Sequence, residues 1–230
     1  MFGFFDPTFV MLIPALLLAF WAQWKVQNTY QKYSQIPAAN GMTGREMAAA
    51  IMSRNGVSEV GIEEVPGVLS DHYDPRAKMV RLSPQNYEDR SIASIAVAAH
   101  EVGHVLQDHE GYVPLGLRAS IAPVANLGSM LAFPLFFVGF AFGHGTLRWL
   151  MDLGILFFAG AVLFHIVTLP VEFDASKRAI AQLSASGAVQ PQEVAGAKAV
   201  LDAAALTYVA AAAMSALQLL RLVLLRNSRR

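Results

Sequence analysis

The stretch Ser91–Gln107, SIASIAVAAHEVGHVLQ, carries a His-Glu-x-x-His motif inside a run of helix-forming apolar residues. On an α-helix, His100 and His104 lie about 40° apart on one face and one turn apart along the axis, so both imidazoles can reach a single metal ion. Glu101 then projects beside that ion, where its carboxylate can take a proton from a water molecule and later pass it to a leaving amine. The motif therefore predicts His100 and His104 as metal ligands and Glu101 as a general base.

Zinc is the ion that this pattern favours. The chain contains no cysteine, so a metal must be held by histidine and carboxylate side chains, and such ligand sets are more typical of catalytic than of structural zinc. Imidazole and carboxylate also accept other divalent ions, so Zn²⁺ is an inference from the motif. The alternative is a buried helix whose two histidines only form hydrogen bonds.

A third ligand must come from another part of the chain. Asp108 continues the face of the two histidines, but it stands about 12 Å from His100 along a helix axis, too far for ligands that share one ion. The longer metzincin motif is absent, because Gln107 and Glu110 occupy the positions of its glycine and third histidine. Glu172 directly follows a long apolar run. It is either the third ligand or a solvated carboxylate at a helix N-terminus, and the residues alone leave both open.

The composition predicts a membrane protein with a small polar domain. Of the 230 residues, 55% are hydrophobic and only 15% are charged, and the mean hydropathy is +0.43. Lys plus Arg and Asp plus Glu balance at 17 each, and no glycine-rich phosphate loop is evident. Nucleic acid is therefore not expected as a partner, whereas membrane lipid is.

We predict a mainly α integral membrane protein with about four transmembrane helices and a small α+β, zincin-like cytoplasmic domain. Its five segments are a transmembrane anchor (1–25), the metallopeptidase region (26–120), a transmembrane helical hairpin turning at Gly143–Gly145 (121–169), a third-ligand helix beginning near Glu172 (170–190), and a C-terminal helix with a basic tail (191–230).

The distribution of basic residues predicts the orientation of the chain in the cell membrane. No basic residue precedes the first apolar run, whereas Lys25 and Lys32 follow it, so the positive-inside bias places the metal site in the cytoplasm. The uncharged part of the last helix, Ala203–Leu220, is just long enough to span. Its terminal arginines, which include Arg229 and Arg230, instead favour a helix on the cytoplasmic membrane surface, and both interpretations remain open.

Two features are predicted inside the polar region. Thr43–Glu46 has the pattern of a capping box and opens a helix that ends near Asn55–Gly56. Val68–Leu82 has the pattern of a β-hairpin and lies shortly before the helix that carries the His-Glu-x-x-His motif. The hairpin either offers an edge onto which an extended peptide adds as another strand, or is only structural.

The remaining polar residues have local interpretations. Arg148 and Asp152 are expected to form an ion pair near the tip of the membrane hairpin, and His165 is expected to be a satisfied membrane histidine. Three side chains are candidate donors to a developing oxyanion, although each is more often structural: His72, Tyr73 and Arg178.

Four separate segments resemble the bacterial YugP-like family of membrane neutral zinc metallopeptidases, and the resemblance covers nearly the whole chain. They are FFDPTFVMLIPALLLAFWAQWKV (4–26), DHYDPRAKMVRLS (71–83), AAHEVGHVLQ (98–107) and LPVEFDASKRA (169–179). The chain is more distantly similar to the HtpX and CAAX-prenyl endopeptidase families. In those families a glutamate after a membrane segment completes the metal site, and an aspartate four residues later supports a ligand histidine.

The resemblance implies that Glu172 is the third zinc ligand. Ser176 stands where the distant relatives have the supporting aspartate, so the role of Asp174 is open. The resulting expectation is a membrane-embedded, gluzincin-like zinc metalloendopeptidase, and the position of Glu172 next to a membrane segment suggests membrane or membrane-associated proteins as substrates.

Two alternatives to this function remain. A site-2-type intramembrane protease would use Asp152 as the third ligand, but its His-Glu-x-x-His helix would have to span the membrane. A metal-stabilised membrane scaffold without turnover would need no base at Glu101 and would close the metal with four protein ligands. The sequence indicates no oligomeric state.

Overall fold

The computed structural model describes residues 7–142, 147–187 and 189–228. A 3₁₀ turn, Pro7–Leu12, leads into a chain of helices interrupted by one small sheet. In order, the elements are α1 (Ile13–Ser34), α2 (Gly44–Arg54), β1 (Gly61–Glu64), β2 (His72–Asp74), β3 (Met79–Leu82), α3 (Pro84–Glu88), α4 (Ile92–His109), α5 (Val113–Phe142), α6 (Trp149–Ala185) and α7 (Pro191–Asn227).

Four of the described helices are long and apolar enough to cross a membrane, as judged by length and composition. They are Thr8–Ser34, Val113–Phe142, Trp149–Ala185 and Pro191–Asn227. Together with the three-stranded sheet, they confirm the predicted class of a mainly α membrane protein with a small α+β region. Helix α4, which carries the His-Glu-x-x-His motif, does not belong to this set of four.

The described residues group into two compact units. We call the first the apolar unit; it takes its residues from Met1–Trp21, Leu117–Leu169 and Thr207–Arg230. We call the second the site unit; it comprises Ala22–Gly116 and Pro170–Leu206.

Buried apolar side chains, among them Phe136, Met151 and Leu222, form the core of the apolar unit. Arg226 of α7 donates to both carboxylate oxygens of Asp152, over 2.7 and 3.1 Å. The predicted ion pair between Arg148 and Asp152 is therefore wrong. Arg148 precedes the first residue of α6, so it lies outside the regular helix in which residues four apart share a face.

The sheet of the site unit has the strand order β1-β3-β2. β2 and β3 form the antiparallel hairpin, with Tyr73 opposite Val80, and β1 pairs parallel to β3. The hairpin is shorter than the predicted Val68–Leu82, because Leu69 has a positive φ angle of 54° that interrupts an extended strand. Sequence reasoning missed β1, which has only four residues and no clear alternation.

Helix α4 is buried on most sides, as the sequence predicts. Its N-cap is Ser91, whose side chain accepts from the backbone N–H of Ser94. The predicted capping box of α2 is also present, because Thr43 and Glu46 bond each other reciprocally. The fully buried side chains of Ile51 and Ile95 belong to the same core. This packing fixes α4 within the site unit.

Helix α6 differs from the prediction of a new helix that begins near Glu172. The helix is continuous from Trp149 to Ala185 and contains Pro170 in its interior. A proline removes one helical hydrogen bond, but long apolar helices tolerate this loss. Glu172 therefore lies inside a helix, and its interpretation as a solvated residue at a helix N-terminus is wrong.

The other helix ends differ less from the predictions. α5 begins at Val113, eight residues before the predicted span, and α7 is one helix from Pro191 to Asn227. The predicted turn Gly143–Gly145 and the arginines Arg229 and Arg230 lie outside the described residues.

Candidate metal centre

The three predicted ligands lie together in the site unit. Donor atoms of His100, His104 and Glu172 are all within 4.8 Å of one another. Glu172 Oε2 lies 3.3 Å from His100 Nε2 and 3.5 Å from His104 Nε2. The two imidazole rings meet edge to face, with centroids 4.9 Å apart. Helix α4 thus supplies two nitrogen donors and α6 one oxygen donor.

These distances fit a zinc ion. Ligand atoms that bind tetrahedral zinc at about 2.0–2.2 Å are separated from one another by roughly 3.3–3.6 Å. The separations between the carboxylate oxygen and the two ring nitrogens fall in this range. Among the described residues the cluster has three members, so a fourth coordination position is available, as in catalytic zinc sites.

The burial of Glu172 also favours a cation at this place. Its side chain is only 2% exposed, and taking an ionised carboxylate out of water is costly unless positive charge or hydrogen bonds compensate. Two neutral imidazoles that share a divalent ion with the carboxylate would supply that compensation.

Gly103 allows the two ligand-bearing helices to approach closely. A Cβ atom at this position would lie 2.4 Å from the carbonyl oxygen of Ala175 and 3.0 Å from its carbonyl carbon. Gly103 lies between the two histidines of α4, and Ala175 lies three residues after Glu172 in α6. The backbones therefore touch beside the metal centre, which brings the Glu172 carboxylate within reach of both imidazoles.

The second nitrogen of each histidine has its own partner. His100 Nδ1 lies 3.2 Å from the hydroxyl oxygen of Ser176, and His104 Nδ1 lies 3.0 Å from Gln107 Oε1. Such partners orient ligand rings and hold the metal-facing nitrogen in place. Ser176 therefore contacts a ligand histidine from the position where distant relatives carry aspartate. Sequence reasoning missed the role of Gln107, although its spacing of three residues from His104 was an available signal.

The predicted base, Glu101, is buried beside the ligands. The residue is 7% exposed, and the backbone of Tyr73 in β2 favours the charged form of its carboxylate. Burial raises the pKa of Glu101 to about 7, and the negative charges of Glu172 and Asp71 act in the same direction. A divalent cation in the site would act in the opposite direction, because it favours the charged carboxylate. The carboxylate is thus held in a defined place next to the cluster.

The structure gives the side chains of two oxyanion candidates other partners. The Tyr73 hydroxyl donates to Asp108 over 2.7 Å. The Arg178 guanidinium donates to Asp174 and Glu110. Both side chains are therefore engaged in hydrogen bonds to carboxylates of the protein.

His72, the third candidate, is exposed, and its Nδ1 lies 2.8 Å from the carbonyl oxygen of Ser70. No described contact joins it to the ligands or to Glu101.

Asp152 is not a member of the metal cluster. The cluster of described residues contains Glu172 as its carboxylate, and both oxygens of Asp152 accept from Arg226. Since α4 is also not one of the four apolar helices long enough to span, two requirements of a site-2-type protease are not met by the described residues.

The fold and the cluster define a helical membrane protein with a candidate zinc centre of two histidines and one glutamate. Residues 8–227 match the model of a family described as "Putative neutral zinc metallopeptidase", and the chain belongs to that family. It is also 49% identical over 215 residues to "Putative membrane protease YugP" of Bacillus subtilis (strain 168), an alignment that covers 94% of each chain. No solved structure matches the chain.

Replacing Gly103 with alanine is expected to force α4 and α6 apart. The added methyl group would overlap the Ala175 carbonyl, so we expect a loss of about 1–3 kcal/mol in stability and a weaker zinc site. The matched control is Gly116→Ala in α5, because a Cβ there meets nothing within 4 Å. Thermal unfolding and zinc titration of both purified variants check this, and equal zinc affinity in the two would contradict it.

Proposed function

We propose that the protein is a membrane-embedded zinc metalloendopeptidase that hydrolyses peptide bonds of membrane or membrane-associated proteins. The observation that carries the proposal is the buried cluster of His100, His104 and Glu172 with the carboxylate of Glu101 beside it on α4. Membership of a family described as zinc metallopeptidases supports the same chemistry.

In this proposal the side chains of the cluster hold the metal and Glu101 moves the protons. A zinc ion held by the two histidines and Glu172 would supply Lewis acidity toward the scissile carbonyl and the attacking water. Glu101 takes a proton from that water on its carboxylate and then passes it to the leaving amine. This assignment makes Glu101 the general base and then the general acid.

The sheet supports a peptide as the substrate. β2 lies at one end of the strand order, and the backbone of its central residue, Tyr73, is close enough to Glu101 to favour the charged carboxylate. An extended peptide that added to this edge as another strand would pass beside the base. Such binding uses main-chain hydrogen bonds along the peptide, which suits cleavage within a chain.

The membrane assignment of the substrate rests on α6. The apolar stretch of this helix ends at Leu169, and Glu172 follows three residues later. We therefore expect the ligand near the membrane surface. Cleavage of a soluble peptide with the same efficiency as a membrane-anchored one would contradict this part of the proposal.

The proposed location is the cell membrane, with several spans and the site facing the cytoplasm. Lys25 and Lys32 follow the apolar half of α1, and the positive-inside bias places them in the cytoplasm with the residues that come after them.

Glu101→Gln should retain about one zinc per chain and lose proteolysis. The amide preserves the size of the side chain but cannot accept the proton, so we expect a fall in kcat of roughly 10²–10⁴-fold. Zinc content and cleavage of a membrane-anchored test protein are measured on detergent-purified wild type and variant. If both bind zinc and neither cleaves a panel of anchored substrates, the non-catalytic scaffold is favoured instead.

Glu172→Ala should abolish stoichiometric zinc binding, whereas Asp152→Ala should not. The first change removes the oxygen donor that lies 3.3 and 3.5 Å from the ligand nitrogens. The second removes only the partner of Arg226. Metal analysis after dialysis separates the two cases. Zinc lost from Asp152→Ala but kept by Glu172→Ala would establish the site-2-type alternative.

The proposed orientation can be tested with single cysteines, because the natural chain has none. Ser58 lies in an exposed part of the site unit, and Leu147 is an exposed residue of the apolar unit in the turn before α6. We expect a membrane-impermeant maleimide to label Leu147→Cys in intact cells and Ser58→Cys only after permeabilisation. The reverse pattern would place the site outside the cytoplasm.

A further inference from the structure

We infer that Gln107 is a positioning residue that holds His104 in the tautomer and orientation needed to bind the metal. The inference rests on the proposed zinc site and concerns a residue that has no role in the assignment of ligands and base. Gln107 is completely buried, although it is a polar side chain, so its hydrogen bonds must be satisfied within the protein.

Three contacts account for the burial of the Gln107 amide. Its Nε2 donates to the carbonyl oxygen of Val171 over 2.8 Å and to Asp174 Oδ2 over 2.9 Å. Its Oε1 lies 3.0 Å from His104 Nδ1. Both hydrogens of the amide group and its oxygen are therefore engaged.

These contacts determine which way the amide faces. A backbone carbonyl and an ionised carboxylate can only accept hydrogen bonds, so the NH₂ group must point toward Val171 and Asp174. The amide oxygen must then face His104, and only a protonated Nδ1 can donate to it. In the neutral imidazole that a metal requires, His104 Nε2 is then the nitrogen without a hydrogen, and it lies 3.5 Å from Glu172 Oε2. The amide thus selects the metal-binding tautomer.

The network also keeps Asp174 available as a charged acceptor. Arg178 donates from Nε to Asp174 Oδ2 and from Nη1 to Glu110. This ion pair lies one helical turn after Asp174 in α6 and stabilises the carboxylate on which the orientation of the amide depends. Asp174 therefore acts on His104 through Gln107. This is a role for Asp174, which the sequence leaves open.

Gln107 also links the two ligand-bearing helices. Val171, whose carbonyl it contacts, directly precedes Glu172, whereas His104 is one turn before Gln107 in α4. One side chain thus contacts a ligand on α4 and the backbone next to the ligand on α6. A change at Gln107 should alter the alignment of both ligands.

The contact of His100, the other predicted ligand histidine, does not select a tautomer. Ser176 presents a hydroxyl to His100 Nδ1, and a hydroxyl can either donate or accept. It is therefore compatible with either tautomer. We expect the loss of Gln107 to weaken the metal site more than the loss of Ser176.

The test is the zinc affinity of full-length Gln107→Leu, measured in detergent by competition with a chelator. We expect it to fall by roughly 10–100-fold relative to wild type, with a smaller fall for Ser176→Ala. The absorption spectrum of the cobalt(II)-loaded protein should also change in Gln107→Leu, because the orientation of a ligand ring changes. Unchanged affinity and an unchanged cobalt spectrum would overturn the inference.

Two control variants separate positioning from general loss of stability. Leu106→Ala removes a buried apolar side chain of the same helix and should lower the unfolding temperature while keeping the zinc affinity. Glu110→Ala removes the second partner of Arg178 and should change neither the unfolding temperature nor the zinc affinity. If Leu106→Ala weakens zinc binding as much as Gln107→Leu does, the effect at Gln107 is structural and the inference fails.

Asp174→Ala provides a second measurement if Gln107→Leu does not fold. It leaves Gln107 in place and removes one of the two acceptors that orient the amide, so an intermediate fall in zinc affinity is expected. Wild-type affinity in Asp174→Ala would contradict the inference. Wild-type protein that binds neither zinc nor cobalt would instead refute the proposed function itself, so the two failures are distinguishable.

Discussion

The candidate site depends on the close approach of two helix backbones. Gly103 in α4 lies against the carbonyl of Ala175 in α6, where even a methyl group would overlap. Because the two histidines stand on either side of this contact and Glu172 lies one turn before Ala175, the approach sets the distance between nitrogen and oxygen donors. The glycine of His-Glu-Val-Gly-His is thus as much a part of the metal centre as its ligands.

Burial gives the site its chemistry and also its main energetic cost. Glu101 and Glu172 are two carboxylates with little exposure, and their mutual repulsion adds to the cost of removing them from water. A divalent cation between the histidines and Glu172 would offset this cost. The neighbouring polar groups are arranged to match, since Gln107 and Ser176 contact the outer nitrogens of the two predicted ligand histidines.

The continuity of α6 connects the chemistry to the membrane. One helix contains both the apolar stretch that ends at Leu169 and the carboxylate donor that follows it, with Pro170 tolerated between them. The 49% identical relative from Bacillus subtilis is named "Putative membrane protease YugP", which agrees with this arrangement.

The sequence by itself determined the apolar spans, the caps of α2 and the helix around the motif, and it predicted the roles of His100, Glu101 and His104, because these depend on local composition and helical spacing. Family resemblance, and not spacing, pointed to Glu172. Only the tertiary structure decided that Glu172 is buried inside a continuous helix, that Asp152 pairs with Arg226, and that Gln107 and Ser176 contact the ligand histidines. These facts join residues that are distant along the chain, so they depend on the packing of α4 against α6 and of α6 against α7, which no local pattern specifies.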